Sequence, residues 1–207
     1  MNIKEAIDWI DLVGPLIPRK EHLKVGVCCG FTEISEVRTR VLVGNYPILV
    51  GSQDLSPFRE GPFTGEESAK ELKGLADLAI LGHSERREYF HETDDLIAKK
   101  TKRAMEAGIL PLLCVQETST PIPDGVTLVA FEPISAIGSG KPDSPKNADQ
   151  VAASIIQKHA NIEVLYGGSV TSKNAKSYLS QKHISGLLIG GASLDAGEFL
   201  KIVKALI

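Results

Sequence analysis

Short apolar runs recur along the chain, and amphipathic stretches separate most of them. The runs are KVGVCCG from Lys24, PILVGSQ from Pro47, LAILGH from Leu78, LPLLCV from Leu110, TLVAFEP from Thr127, EVLYGG from Glu163 and GLLIGG from Gly186. Each is too short for a buried helix and rich in Val, Ile and Leu, which predicts strands buried on both faces. The stretches between carry helical signals. Residues 93–107 have Asp94 and Asp95 in the first turn, Lys102 and Arg103 near the end, and Gly108 as a stop. Residues 147–159 place Val151, Ile155 and Ile156 on one face, and the segment from Leu194 places Phe199, Val203 and Leu206 on one face. The chain opens on a further helix over residues 3–13. Alternating strands and helices predict an α/β domain with a parallel sheet. Between Val115 and Thr127, the stretch QETSTPIPDGV holds two prolines and a glycine and predicts a loop in place of a helix.

The totals narrow the function classes. A chain of 207 residues is expected to form one domain with a substantial core. Its 43% hydrophobic and 24% charged residues are ordinary for a soluble globular protein. A net charge of −3 without a dense basic run argues against a nucleic-acid partner. No apolar segment approaches a membrane span. Lys4, Glu5, Asp8 and Asp11 near the N-terminus do not fit a secretory signal. The three cysteines, Cys28, Cys29 and Cys114, are odd in number and form no Cys-x-x-Cys pair. They read as reduced, buried thiols of a cytoplasmic protein rather than a disulfide framework or a zinc site.

Chemistry gathers where the apolar runs end: Gln53, His83, Glu117, Glu132, YGGSV and GGASL. Parallel α/β folds bind ligands at the carboxyl ends of their strands. His83 stands at a strand-to-helix corner, where a lone histidine can equally be a cap tied to backbone. Glu132 follows Phe131 and precedes Pro133, a place where a carboxylate is costly unless it is paired or functional. Gly167-Gly168-Ser169 and Gly190-Gly191-Ala192-Ser193 each lie between a strand and a helix. Two such turns suggest a phosphate cradle, since glycines admit close backbone approach and helix N-termini favour anions; tight turns alone are the plainer reading. AIGSGKP is not a nucleotide-binding P-loop, because Ser135 stands at the first glycine position and Pro142 follows the lysine. Small residues between two prolines instead suit a mobile loop with defined ends. Arg86 and Arg87 are expected to make structural ion pairs.

The motifs GHSERR, FEPISAIGSGK, YGGSV and LIGGASL, with GSQDLS and GPFTGE upstream and LCVQE between, resemble those of the triosephosphate isomerase family, in the same order. The resemblance runs from about Lys24 to the C-terminus. It implies a (β/α)8 barrel, here shortened to seven strands with the first strand and fifth helix absent, and spanning residues 1–207 as one domain. It implies interconversion of dihydroxyacetone phosphate and D-glyceraldehyde 3-phosphate through an enediolate, in glycolysis and gluconeogenesis, with no cofactor and no metal. Glu132 would be the base and His83 the neutral electrophile, in a family that is itself a known example of such acid–base tuning. Ser84 would hold the base in the open enzyme, and Glu85 would support the polar network. Gly138, Ser169, Gly190 and Gly191 would hold the substrate phosphate. Pro133 to Lys141 would be the lid, with Ile137 and Leu188 clamping the base. The GPFTGE segment, residues 61–66, resembles the family's interface loop and implies a homodimer.

The family's first strand ends in Asn-x-Lys, whose lysine neutralises phosphate. Met1-Asn2 match the residues just after that lysine, and Lys4 does not match the motif. Ser135 stands where the family usually has Trp, and Gln116 where it usually has Gly. A catalytically silent phosphate-binding or assembly homologue is therefore the alternative, with another phosphate-sugar barrel enzyme as a third reading.

Overall fold

The computed structural model describes residues 1–133, 142–159 and 161–207. The seven apolar runs become the strands β1 Val25–Cys29, β2 Ile48–Ser52, β3 Leu78–Leu81, β4 Leu110–Val115, β5 Leu128–Phe131, β6 Glu163–Tyr166 and β7 Gly186–Leu187. The helices are α1 Ile3–Val13, α2 Phe31–Val43, α3 Ala69–Leu72, α4 Ser84–Tyr89, α5 Asp94–Ala107, α6 Pro145–Lys158, α7 Ala175–Leu179 and α8 Ala196–Lys204. The chain divides into two compact units, Met1–Leu81 with Leu96–Pro111, and Gly82–Asp95 with Leu112–Ile207. None of the described helices is long and apolar enough to cross a membrane.

In the first unit β1, β2 and β3 pair in parallel and in chain order, with Val25 beside Ile48 and Gly51 beside Leu78. Gly51 is required by packing: a Cβ there would lie 2.6 Å from Cys28 Sγ and 3.0 Å from Leu78 Cγ. α1 starts on a reciprocal cap, in which the Glu5 N–H donates to Asn2 Oδ1 and the Asn2 N–H donates to Glu5 Oε2. Ala6, Trp9, Ile10 and Val13 then form its buried stripe, and α1 packs on α2. Burial pushes the Cys28 and Cys29 thiols up to about 12 and about 11, so both stay protonated and unreactive at neutral pH. The 61–66 loop lies in this unit, with Phe58 and Phe63 stacked at 4.2 Å and partly exposed.

The second unit holds β4 to β7, again parallel and in chain order, with Leu112 beside Leu128, Leu128 beside Glu163 and Leu165 beside Gly186. Residues 116–127 form no helix, as their prolines predict. Ser144 caps α6 by accepting the Asn147 N–H, and Pro145 occupies its first turn. The buried face of α6 is Ala148, Ala152 and Ile155, whereas Val151 and Ile156 are only half-buried. The small alanines let the helix sit closer to its neighbours than the larger residues beside them would. α8 begins at Ala196, capped by Asp195, after a short 3-10 turn at Gly191–Leu194. Its buried residues are Phe199, Ile202 and Val203; Leu206 lies past its end and is half-buried.

Within the first unit, Lys100 donates to both carboxylate oxygens of Asp54, at 2.6 and 2.7 Å, and the two side chains are 3% and 12% exposed. Removing one member of such a pair leaves the other charge desolvated without its counter-ion. Lys100→Ala is expected to lower unfolding stability by roughly 3–5 kcal/mol, read as a lower urea midpoint at unchanged m-value.

Candidate active site

The corner after Leu81 is built by α4. Gly82 takes a positive φ of 70°, which turns the chain, and His83 occupies the N-cap of the helix. His83 Nδ1 accepts the backbone N–H of Glu85 at 3.3 Å. That lone pair is thereby used, so a neutral ring carries its proton on Nε2. Nε2 lies 3.2 Å from Glu132 Oε1. The cap that ties His83 to backbone also sets its Nε2 beside Glu132. The carboxylate of Glu85 is two-thirds exposed and comes within 3.7 Å of Nδ1, so the residue meets His83 through its amide and more loosely through its side chain.

Glu132 is held where β5 ends. Its own N–H donates to Val115 O at 2.8 Å, and the Gly167 N–H donates to Phe131 O at 2.8 Å, so the ladder runs on past β5 on both sides. Its side chain is 1% exposed. The Ser84 N–H donates to Oε2 at 3.0 Å, using one of the amides that an α-helix leaves unsatisfied in its first turn. The Ser84 hydroxyl is buried without a hydrogen-bond partner among the described residues. The Cys114 thiol and the Gln116 amide also bond the carboxylate, from β4 and the residue just past it. Gln116 Nε2 lies a further 3.5 Å from Gly82 O. Burial raises the Glu132 pKa above its ordinary value, and the His83 ring, the Ser84 amide, Cys114 and Gln116 offset only part of that rise. Gly167 supplies the room: a Cβ there would lie 3.0 Å from Glu132 Cγ and 3.6 Å from Leu188 Cβ. Cys114, Gln116 and Gly167 do not stand out in the sequence as neighbours of Glu132. Strand register alone brings them there, since Val115 pairs Phe131 and Phe131 pairs Tyr166.

The remaining site residues fall on neighbouring corners of the same unit. Ser169 has a positive φ of 30°, and its carbonyl accepts the Asn174 amide at 3.0 Å. Gly190 and Gly191 are exposed, and a Cβ on either would meet nothing within 4 Å. Ser193 closes that turn on Gly190 O through its N–H at 2.9 Å and its hydroxyl at 2.7 Å. The Leu188 N–H donates to Tyr166 O at 2.9 Å, and Pro133 is buried. Ile137, Gly138 and Lys141 lie outside the described residues. Arg86 pairs with Glu92 at 2.7 Å, and Arg87 with Asp94 at 2.6 Å, as structural ion pairs. No group of three or more His, Cys, Asp or Glu among the described residues converges to hold a metal ion.

The raised Glu132 pKa has a definite consequence for stability. A carboxyl whose folded pKa exceeds its unfolded one favours folding fully below the unfolded value, and that contribution is lost as pH rises through the folded value. Glu132→Gln removes the loss. Its melting temperature is expected to exceed that of the parent by a few degrees at about pH 8, with the gap closing as pH falls toward 4.5, the ordinary carboxyl value. Thermal melts across that range check it.

Comparison with known proteins adds the lineage. The family model for triosephosphate isomerase matches residues 1–127 and 120–206. The triosephosphate isomerase of Alkaliphilus metalliredigens is 38% identical over 215 residues, covering 88% of this chain and 86% of that protein. That of Alkaliphilus oremlandii is 36% identical and covers 97% of this chain and 93% of its own length. Among solved structures, the crystal structure of triosephosphate isomerase from Bartonella henselae superposes with a TM-score of 0.85 at 31% identity, over 98% of this chain and 93% of that one. With seven parallel strands in chain order and matches that run almost its whole length, the chain has a TIM-barrel fold and belongs to the triosephosphate isomerase family.

Proposed function

We propose that this chain interconverts dihydroxyacetone phosphate and D-glyceraldehyde 3-phosphate, with Glu132 as the base and His83 as the electrophile. The observation that carries the reading is the buried Glu132 carboxylate 3.2 Å from an imidazole nitrogen whose partner nitrogen already accepts a backbone N–H. A base that takes a proton alpha to a carbonyl works best with a pKa raised toward the working pH. Burial raises it here. Glu132 removes the proton from one carbon, His83 Nε2–H stabilises the developing enediolate oxygen, and Glu132 returns the proton to the adjacent carbon. In the present arrangement the carboxylate rests on Ser84 and His83, so it leaves those contacts to reach substrate. The missing side chain at Gly167 keeps Glu132 Cγ unobstructed where it stands.

The half-buried turn at Ser169 and the exposed one at Gly190 and Gly191 offer backbone N–H groups to the substrate phosphate, together with Gly138. Residues 133–141 act as the lid, with Pro133 and Lys141 at its ends and Ile137 and Leu188 closing over the base. Water exclusion then raises the base further and protects the enediolate from losing phosphate. Residues 1–207 work as one barrel domain, in the cytoplasm and in glycolysis. The partly exposed Phe58–Phe63 stack beside the 61–66 loop supports a homodimer through that loop.

Two measurements check these readings. Isomerase turnover is expected in the parent chain, falling on the order of 10²–10⁴-fold in Glu132→Gln with little change in substrate affinity. Binding of the triose phosphate without turnover would favour the silent phosphate-binding homologue instead. Sedimentation is expected to give a dimer for the parent and a monomer for Phe63→Asp; two monomers would sink the interface.

A further inference from the structure

Gln116 stands just past β4 and meets two parts of the site at once. Register puts it there: Val115 ends β4 beside Phe131, and the Glu132 N–H donates to Val115 O at 2.8 Å. Gln116 Nε2 lies 3.5 Å from Gly82 O, and the side-chain amide bonds the Glu132 carboxylate. A primary amide carries two N–H donors, so it can serve a carbonyl and a carboxylate together. The other donors to Glu132 fall on two sides. His83 Nε2, 3.2 Å from Oε1, and the Ser84 N–H, 3.0 Å from Oε2, belong to the start of α4, whereas the Cys114 thiol comes from β4. Gln116 ties these sides together, since Gly82 directly precedes His83. Among the described residues, the titratable groups that bear on Glu132 are His83 and Cys114; Glu85 stands behind His83, 3.7 Å from Nδ1. Gly167, just past β6, brings no charge.

Packing alone asks for no amide here. Gln116 is half-buried, and a leucine of similar size would bury no polar atom. A charged residue would not serve either. A lysine would hold the carboxylate in its charged form and weaken it as a base, and a glutamate would repel it. A neutral donor steadies the carboxylate and leaves it basic. We propose that Gln116 is a positioning residue for isomerisation: its amide braces the Glu132 carboxylate to the His83 corner, so that the base waits in place in the free enzyme. The inference rests on the reading of Glu132 as the base and His83 as the electrophile. A donor to the carboxylate favours its charged form, so without the amide Glu132 takes up its proton at higher pH. A protonated base cannot accept the substrate proton, and kcat/KM, which reports the free enzyme, then falls on the acid side.

Gln116→Leu in the full chain tests this, with kcat/KM measured from about pH 5 to about pH 9 beside the parent. The ratio of variant to parent cancels the ionisation of the substrate itself. Loss of one net hydrogen bond predicts a kcat/KM about 2–10-fold lower at the acid end and closer to the parent at the alkaline end. No loss, or an equal loss at every pH, would overturn the proposal. Carboxyl-carbon NMR of Glu132, identified by the signal's disappearance in Glu132→Gln, reads the same contact without turnover. Its titration midpoint is expected to lie higher in Gln116→Leu than in the parent, and equal midpoints would overturn the proposal too. The parent alone supplies a check that needs no substitution at Gln116. Its Gln116 side-chain amide signals are expected to shift through the same midpoint as the Glu132 carboxyl carbon; signals that ignore that titration would sink the brace. Absence of turnover in the parent would instead refute the isomerase reading, and the two titrations would still decide the brace.

Discussion

A carboxylate with almost no access to water has to be surrounded by donors, and the second unit is organised around that requirement at Glu132. Desolvating a charge is among the largest local costs a fold can carry. Two strand neighbours pin the residue's backbone, through Val115 O on one side and the Gly167 N–H on Phe131 O on the other. One donor comes from the first turn of α4, whose amides would otherwise face no acceptor, and another from the histidine that caps the same helix. The helix start and the buried charge answer each other's needs. What is left uncompensated appears as a raised pKa, and that residue of strain is the property the proposed chemistry uses.

The same unit separates parts that hold still from parts that leave room. Buried β-strands, the stacked rings of Tyr166 and Tyr178, and Asp143, whose N–H and carbonyl each meet one of their hydroxyls, are fully partnered. Gly167, Gly190 and Gly191 do the opposite: one leaves just enough clearance for a glutamate side chain, and the other two face open space. A proton-transfer site needs both, since a misplacement of about 1 Å can cost on the order of 10²-fold in rate while substrate still has to enter and leave. The departure at Gln116 belongs here as well. Its side-chain amide is one more group that bonds the Glu132 carboxylate.

Most of the fold was legible in the chain. All seven runs of Val, Ile and Leu became strands, because short apolar segments flanked by polar residues have few other ways to satisfy their backbone while buried. The proline-rich stretch after Val115 formed no helix, and α1, α5 and α6 began within two residues of their predicted starts. The misreadings concern faces rather than elements. Large side chains mark a helical stripe in sequence, yet α6 buries Ala148 and Ala152 and leaves Val151 half-covered, since close approach favours the small residue. Leu206 fits the stripe of α8 but comes after the helix has ended.

At the site, residue type and position along the chain were enough to single out His83, Glu132 and the two glycine turns, because a buried carboxylate or a histidine at a strand end is expensive enough to need a reason. They could not say that His83 Nδ1 accepts the Glu85 N–H or that Ser84 meets Glu132 through its amide. Nor could they bring Gln116, Gly167 and Glu132 together, or set Tyr178 against Asp143. Those facts depend on strand register and on contacts between residues as far apart as Ser84 and Glu132. Hydrophobic pattern encodes which segments are buried; only the packed chain decides which polar atoms meet, because hydrogen bonds are directional and burial is not.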